Sequence, residues 1–184
     1  MGTPVDPRLV ACQRSQADAF RRGAALMARP PQVVSIPYED ASLPGYLFLA
    51  GDDDTLRPAV ILNGGYDGTA EELYFANGAA ALARGYHVLV FDGPGQGAAL
   101  LEQGMVLRPD WENVVTPVFD YLAAQPGVDS RRIALIGWSL GGYLAPRAAS
   151  GEHRLAACVA DCGSVGARTL YHARSFGWLD HILR

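Results

Sequence analysis

Arg132-Ile133-Ala134-Leu135-Ile136-Gly137-Trp138-Ser139-Leu140-Gly141-Gly142 is the stretch on which the fold turns. Its first half, Arg132 to Gly137, is apolar without polar alternation, as expected of a strand buried on both faces. It runs into Gly-x-Ser-x-Gly and then into a helix expected over Leu140 to Ser150. A strand, a tight turn and a helix in that order put Ser139 on a sharp bend, with its hydroxyl raised above the sheet edge. Gly137 and Gly141 are small because neighbouring backbone passes close to them. The helix behind Ser139 aims its positive end and free N–H groups, that of Leu140 among them, at any developing oxyanion. The chain has 21 glycines, so a bare match could also be a tight turn with a capping serine. The strand before and the helix after make Ser139 the candidate nucleophile.

Working outward, Pro58–Asn63, Tyr86–Asp92 and Leu155–Asp161 are further unbroken apolar runs. Helices are expected at Ala70–Arg84, closed by Gly85, and at Asp110–Gln125, which Pro117 kinks or delimits. Strands of this kind spaced by helices predict an α/β fold with a mostly parallel sheet covered on both faces. Ahead of this core, Gln32–Ile36 and Gly45–Ala50 flank the polar turn Tyr38–Ser42 and predict an antiparallel pair. Leu9, Val10, Ala17, Phe20, Ala24 and Met27 recur at helical spacing within Pro7–Ala28, before Pro30-Pro31. Three segments result: a helical one over 1–31, a core over 32–163, and 164–184. The last is helical in pattern and aromatic (Tyr171, Phe176, Trp178), like the start of a lid.

Two glycine-rich loops follow core strands. In sheet enzymes with such an elbow, a loop after an earlier strand supplies the second oxyanion N–H. Asn63-Gly64-Gly65-Tyr66-Asp67-Gly68 occupies that position, with Gly65 the first choice of donor and Tyr66 the second. A plain strand-to-helix turn is the competing reading. Phe91-Asp92-Gly93-Pro94-Gly95-Gln96-Gly97 superficially matches a phosphate-binding glycine pattern. Its order is wrong, Pro94 removes an N–H, and no Lys-Ser/Thr follows. It reads instead as a rigid turn at the pocket floor, with Asp92 holding loop amides.

Composition excludes several classes. Hydrophobic residues are 49% and charged residues 18%, so disorder is not expected. A net charge of −4 with no Lys/Arg run argues against nucleic acid and anionic membrane as partners. Met1–Arg14 lacks the order of a signal peptide, and no run approaches a membrane span; a cytoplasmic location is expected. Cys12, Cys158 and Cys162 form no disulfide framework. Cys158 and Cys162 could be half of a metal site, but no second half accompanies them. They are expected to be small buried residues of a strand and its loop. No metal or cofactor is expected, and the partner is a small-molecule substrate.

Leu43-Pro44-Gly45-Tyr46, Gly64-Gly65-Tyr66-Asp67-Gly68-Thr69-Ala70-Glu71-Glu72, the Asp92–Gly97 loop and Gly137–Gly142 together resemble one branch of the α/β-hydrolase superfamily. That esterase branch includes the fermentation-respiration switch protein, dihydroxypseudooxynicotine hydrolase and the fungal polyketide-shortening hydrolases. The resemblance covers about Phe20 to Asp161. It implies a cofactor-free Ser-His-Asp hydrolase that cleaves an ester, or the C–C bond of a ketone substrate, through an acyl-enzyme. Acyl transfer to another acceptor and a catalytically inactive binding domain are the alternatives.

The sequence departs from that pattern after the elbow. Acid and histidine should follow Ser139, each after a later strand, yet the remaining residues hold one clear strand. A chain truncated before its last strands is therefore expected. An unpaired apolar strand at Leu155–Asp161 would also favour a homo-oligomer. Asp161, at the carboxyl edge of its strand, is a candidate pocket residue or acid, with Asp180 weaker. His172 and His181 are the candidate bases. His153 reads as a solvated loop residue and His87 as structural.

Overall fold

The computed structural model describes residues 5–53 and 55–161. The chain opens with helix α1, Pro7–Ala24. Asp6 caps it by accepting the Arg8 N–H, and Pro7, which needs no N–H partner there, occupies the first turn. The helix stops four residues before the expected Ala28. Ala24 is the last residue it buries fully; Leu26 beyond it is 88% exposed, and Met27 packs on the core from the turn that follows.

Strands β1, Gln32–Tyr38, and β2, Ala41–Phe48, form the expected antiparallel pair. Both extend further into the polar turn than the sequence suggested. Tyr38 pairs with Ala41, and the reversal needs only Glu39 and Asp40, with Glu39 at φ 48°.

The core strands are β3, Arg57–Asn63, β4, His87–Phe91, β5, Val128–Trp138, and β6, Ala157–Asp161. Their sheet order is β1-β2-β4-β3-β5-β6. The last four strands are mutually parallel, and β2 joins them antiparallel to β4. Every residue of β4 is buried, as are Ala59 to Asn63 of β3, which explains the missing alternation in their sequences.

The helix expected over Ala70–Arg84 is built in three pieces. These are α2, Ala70–Leu73, a π-turn at Tyr74–Gly78, and α3, Ala79–Ala83. The wide turn presents Tyr74 to Phe48, ring centroids 4.6 Å apart, and to Phe20 of α1. A short helix α4, Gly97–Leu101, lies where only a loop was expected, because five residues after a glycine run carry no readable period. Helix α5, Glu112–Ala123, continues through Pro117. Burial of Val114, Val115, Val118, Phe119 and Leu122 outweighs the lost hydrogen bond. Helix α6, Gly141–Ala149, follows the elbow directly.

Apolar clusters form on both sheet faces. One gathers α5 and α6 against β1, β3 and β5. The other gathers Phe20 of α1, Leu73 and Tyr74 against β2, β3 and β4. Strand β6 departs from expectation, being exposed at the outer position of the described sheet, with Cys158 exposed rather than buried. Cys162 lies outside the described residues, as do the 164–184 lid expectation, Asp180, His172 and His181. Among the described residues, no helix is long and apolar enough to cross a membrane.

Candidate active site

Strand order reverses at β3: the chain steps to β4 on one side and to β5 and β6 on the other. Crevices at the carboxyl ends of strands flanking such a reversal are where open α/β sheets place ligands. Asn63, the last residue of β3, is in register with Gly137 near the end of β5. The two glycine-rich turns therefore leave the sheet side by side.

Ser139 has φ 59°, a left-handed conformation in which non-glycine residues are strained. A serine held there while β5 turns into α6 is a rigid, exposed bend, as its sequence context predicts. The flanking glycines explain how the bend closes. A Cβ on Gly137 would overlap the Gly141 carbonyl, and one on Gly141 would overlap the carbonyls of Asn63 and Gly64. Leu140 caps α6, so its N–H belongs to the first turn, where helix amides have no carbonyl partner above them.

Gly65 is buried directly against the elbow. A Cβ there would lie 2.9 Å from Ser139 Cβ and 3.1 Å from its Oγ. Glycine is required because any side chain would occupy the space in front of the hydroxyl. Tyr66, the second-choice donor, is 42% exposed at the adjacent rim.

The loop carrying these residues is held from beneath. Trp111 Nε1 donates to Asn63 Oδ1 at 2.8 Å, and Asn63 Nδ2 donates to the Gly64 carbonyl at 3.0 Å. Gln96 Nε2 donates to the carbonyls of Gly64 at 2.7 Å and Gly65 at 3.0 Å, while its Oε1 accepts the Gly93 N–H at 3.0 Å. All three side chains are buried. Sequence reading assigned no role to Asn63, Gln96 or Trp111. Only the Gly93 contact of Gln96 is local enough for a sequence to suggest; its bonds to Gly64 and Gly65 are not.

Asp92 holds amides as expected, but those of helix starts rather than of its own loop. Its carboxylate oxygens accept from Ala70 at 2.7 Å and Ala98 at 2.8 Å, pinning α2 and α4 together. Complete burial pushes its carboxyl up to about 7, against the pull of those N–H donors, and the charge of Glu71 pushes the same way. Glu71 accepts from Tyr46 Oη at 2.7 Å, and Arg21 Nε donates to the same phenol at 3.2 Å.

An apolar cavity of about 620 Å³ opens beside the elbow, lined by Leu9 and Gln13 of α1, Gly65, Tyr66, Leu100, Leu107 and Leu140 among others. The N-terminal helix thus forms part of its wall. Gly95 and Gly97 also line it, in keeping with the pocket-floor reading of their loop.

Other candidates are not gathered here. Asp161 is in register with Trp138, one strand from the elbow, and is exposed. His87 is structural: its Nδ1 accepts the Ala50 N–H at 3.0 Å, and Nε2 lies 3.1 Å from the Gly127 carbonyl. It pairs with Ala59, four residues along β3 from Asn63, hence roughly 13 Å from the site's end of the sheet. His153 is exposed in the turn after α6. Among the described residues, no group of three or more His, Cys, Asp or Glu could hold a metal ion.

Residues 59–184 match the family model described as the alpha/beta hydrolase family. Hydrolase acrC of Aspergillus aculeatus is 42% identical over 95% of this chain and 45% of its own length. The 20-hydroxy-prefusarin hydrolase FUS2 of Gibberella moniliformis is 41% identical over 96% of this chain and 44% of its own. Among solved structures, 2,6-dihydroxy-pseudo-oxynicotine hydrolase superposes with a TM-score of 0.78 at 30% identity, covering 86% of this chain and 44% of that one. The chain thus spans less than half the length of these relatives.

Proposed function

Because this chain belongs to the α/β-hydrolase family, we propose that the intact protein is a hydrolase in which Ser139 attacks a substrate carbonyl to form an acyl-enzyme. One observation carries the reading: Ser139 sits strained at φ 59° on the strand-to-helix bend, with Gly65 packed against its hydroxyl. Strain of this kind persists where the surroundings impose it, and it holds the oxygen in one place for attack. The tetrahedral adduct places negative charge on the former carbonyl oxygen. The Leu140 N–H, aided by the α6 helix end, and the Gly65 N–H, with Tyr66 as second choice, are the donors assigned to it.

The cavity beside the elbow supports a small-molecule substrate with an apolar acyl portion, because Leu9, Leu100, Leu107 and Leu140 surround the space. Collapse of the adduct expels either an alcohol from an ester or a carbanion equivalent from a ketone, and water then releases the acid. A serine needs a base to take its proton. His87 is tied to the Ala50 and Gly127 backbone at the far end of the strands, and His153 is exposed after α6. We therefore assign the base to residues outside those described, where the candidates His172 and His181 lie. Asp161, one strand from the elbow, is the acid candidate among the described residues.

A fluorophosphonate probe tests this in the intact protein. Labelling of the peptide containing Ser139, abolished in Ser139→Ala, is the expected outcome; no labelling there would defeat the reading. Product analysis with and without an added alcohol acceptor separates hydrolysis from acyl transfer.

A further inference from the structure

Gln96 is 2% exposed, and its carboxamide is spent entirely on backbone. The two carbonyls that its Nε2 holds belong to the Gly64–Gly65 and Gly65–Tyr66 peptides. The N–H groups of those same two peptides are those of Gly65 and Tyr66, the candidate oxyanion donors. A trans peptide is planar, with C=O and N–H pointing in opposite directions. Anchoring both oxygens on Gln96 therefore turns both N–H groups away from it. Ser139 packs against Gly65. A hydrogen bond to a peptide oxygen also polarises the N–H of that peptide, making it a better donor. The amide orientation of Gln96 is fixed by its partners. Reversed, its oxygen would face two carbonyls and its NH2 group would face the Gly93 N–H.

We propose that Gln96 is a positioning residue for the oxyanion hole, one buried side chain that presets both candidate donors of the loop after β3. Asn63, donating to the Gly64 carbonyl from the Trp111 side, completes the clamp on the first peptide. The proposal rests on Ser139 being the nucleophile, and its test separates the two.

In the intact protein, Gln96→Leu keeps the volume and removes every hydrogen bond. Gln96→Glu keeps an acceptor for Gly93 but, when ionised, cannot donate to the carbonyls. Both variants should lower kcat on the order of 10- to 100-fold with KM nearly unchanged. The affinity of a boronic acid, which forms a tetrahedral anion on serine, should weaken by a similar factor. A residue that only ties loops together would instead lower thermal stability and leave kcat of the folded fraction intact. That result, or boronate affinity equal to that of the unsubstituted protein, overturns the proposal. Should neither variant fold, NMR of the unsubstituted protein decides. On boronate binding the Gln96 side-chain amide protons move downfield together with the Gly65 and Tyr66 amide protons if the proposal holds; Gln96 amide protons that stay in place while the backbone amides move overturn it. Absence of fluorophosphonate labelling at Ser139 in the unsubstituted protein would defeat the underlying reading. Normal labelling and turnover in folded Gln96→Leu defeat only this one.

Discussion

The turn after β5 and the loop after β3 lie side by side, yet they reach their shapes by different means. The elbow is shaped mostly by its own sequence: Gly137 gives way to the Gly141 carbonyl, and Ser139 takes φ 59° between strand and helix. Gly141 alone makes room for the distant Asn63 and Gly64 backbone. The loop after β3 is shaped from a distance, by Gln96, 31 and 32 positions away from the carbonyls it holds, and by Trp111, 48 positions from Asn63. A site half specified by local motif and half by remote side chains should respond to substitution in two distinct ways.

The largest expected effect is at the elbow. Gly137→Ala forces its Cβ into the Gly141 carbonyl, so the backbone must move, at a cost of about 3 kcal/mol or more. Urea denaturation of the folded protein, or loss of soluble protein, measures it; an unchanged midpoint would show the bend to be softer than drawn. The remote half comes next. Trp111→Phe leaves Asn63 Oδ1 buried without its donor, costing about 1–3 kcal/mol, and should also slow turnover through the loop. A variant with lost stability but full kcat would separate Asn63 from the site.

Asp92 belongs to the remote half, where it pins α2 to α4, and its effect depends on pH. The unfolded carboxyl titrates near 3.8 and the folded one near 7. Between those values the native chain holds a proton that the unfolded chain has released. Stability therefore declines as pH rises through that window, by at most about 1.4 kcal/mol per pH unit. Asp92→Asn should remove that slope when denaturation midpoints are compared at pH 5 and pH 7. The smallest effect has the opposite sign. Ser139→Gly relieves the left-handed strain and should raise stability by about 1 kcal/mol while abolishing turnover. A drop in stability would show the bend to be unstrained.

The same division explains what the sequence disclosed. The parallel strands, the β1–β2 hairpin and the elbow were legible because each is written in contiguous residues: apolar runs, a polar turn, Gly-x-Ser-x-Gly. That Gly65 lies against Ser139 was legible from its place after β3. The clamp of Asn63, Gln96 and Trp111 was not, because it consists of pairings between residues far apart in the chain. The π-turn at Tyr74–Gly78 was hidden too, since Ala70–Arg84 reads as one uninterrupted helix and its interruption serves packing on Phe48 and Phe20. The α1 wall of the cavity was likewise out of reach. Leu9 showed a helical period, but a period does not say what its face will border.

The central claim is chemical, and trapping the intermediate tests it most directly. Quenching the intact protein in acid during turnover of a chromogenic ester, followed by peptide mass spectrometry, should find one acyl group per chain. That group should sit on the peptide containing Ser139 and be absent from Ser139→Ala. Turnover that survives in Ser139→Ala, or an acyl group on any other residue, would contradict the account.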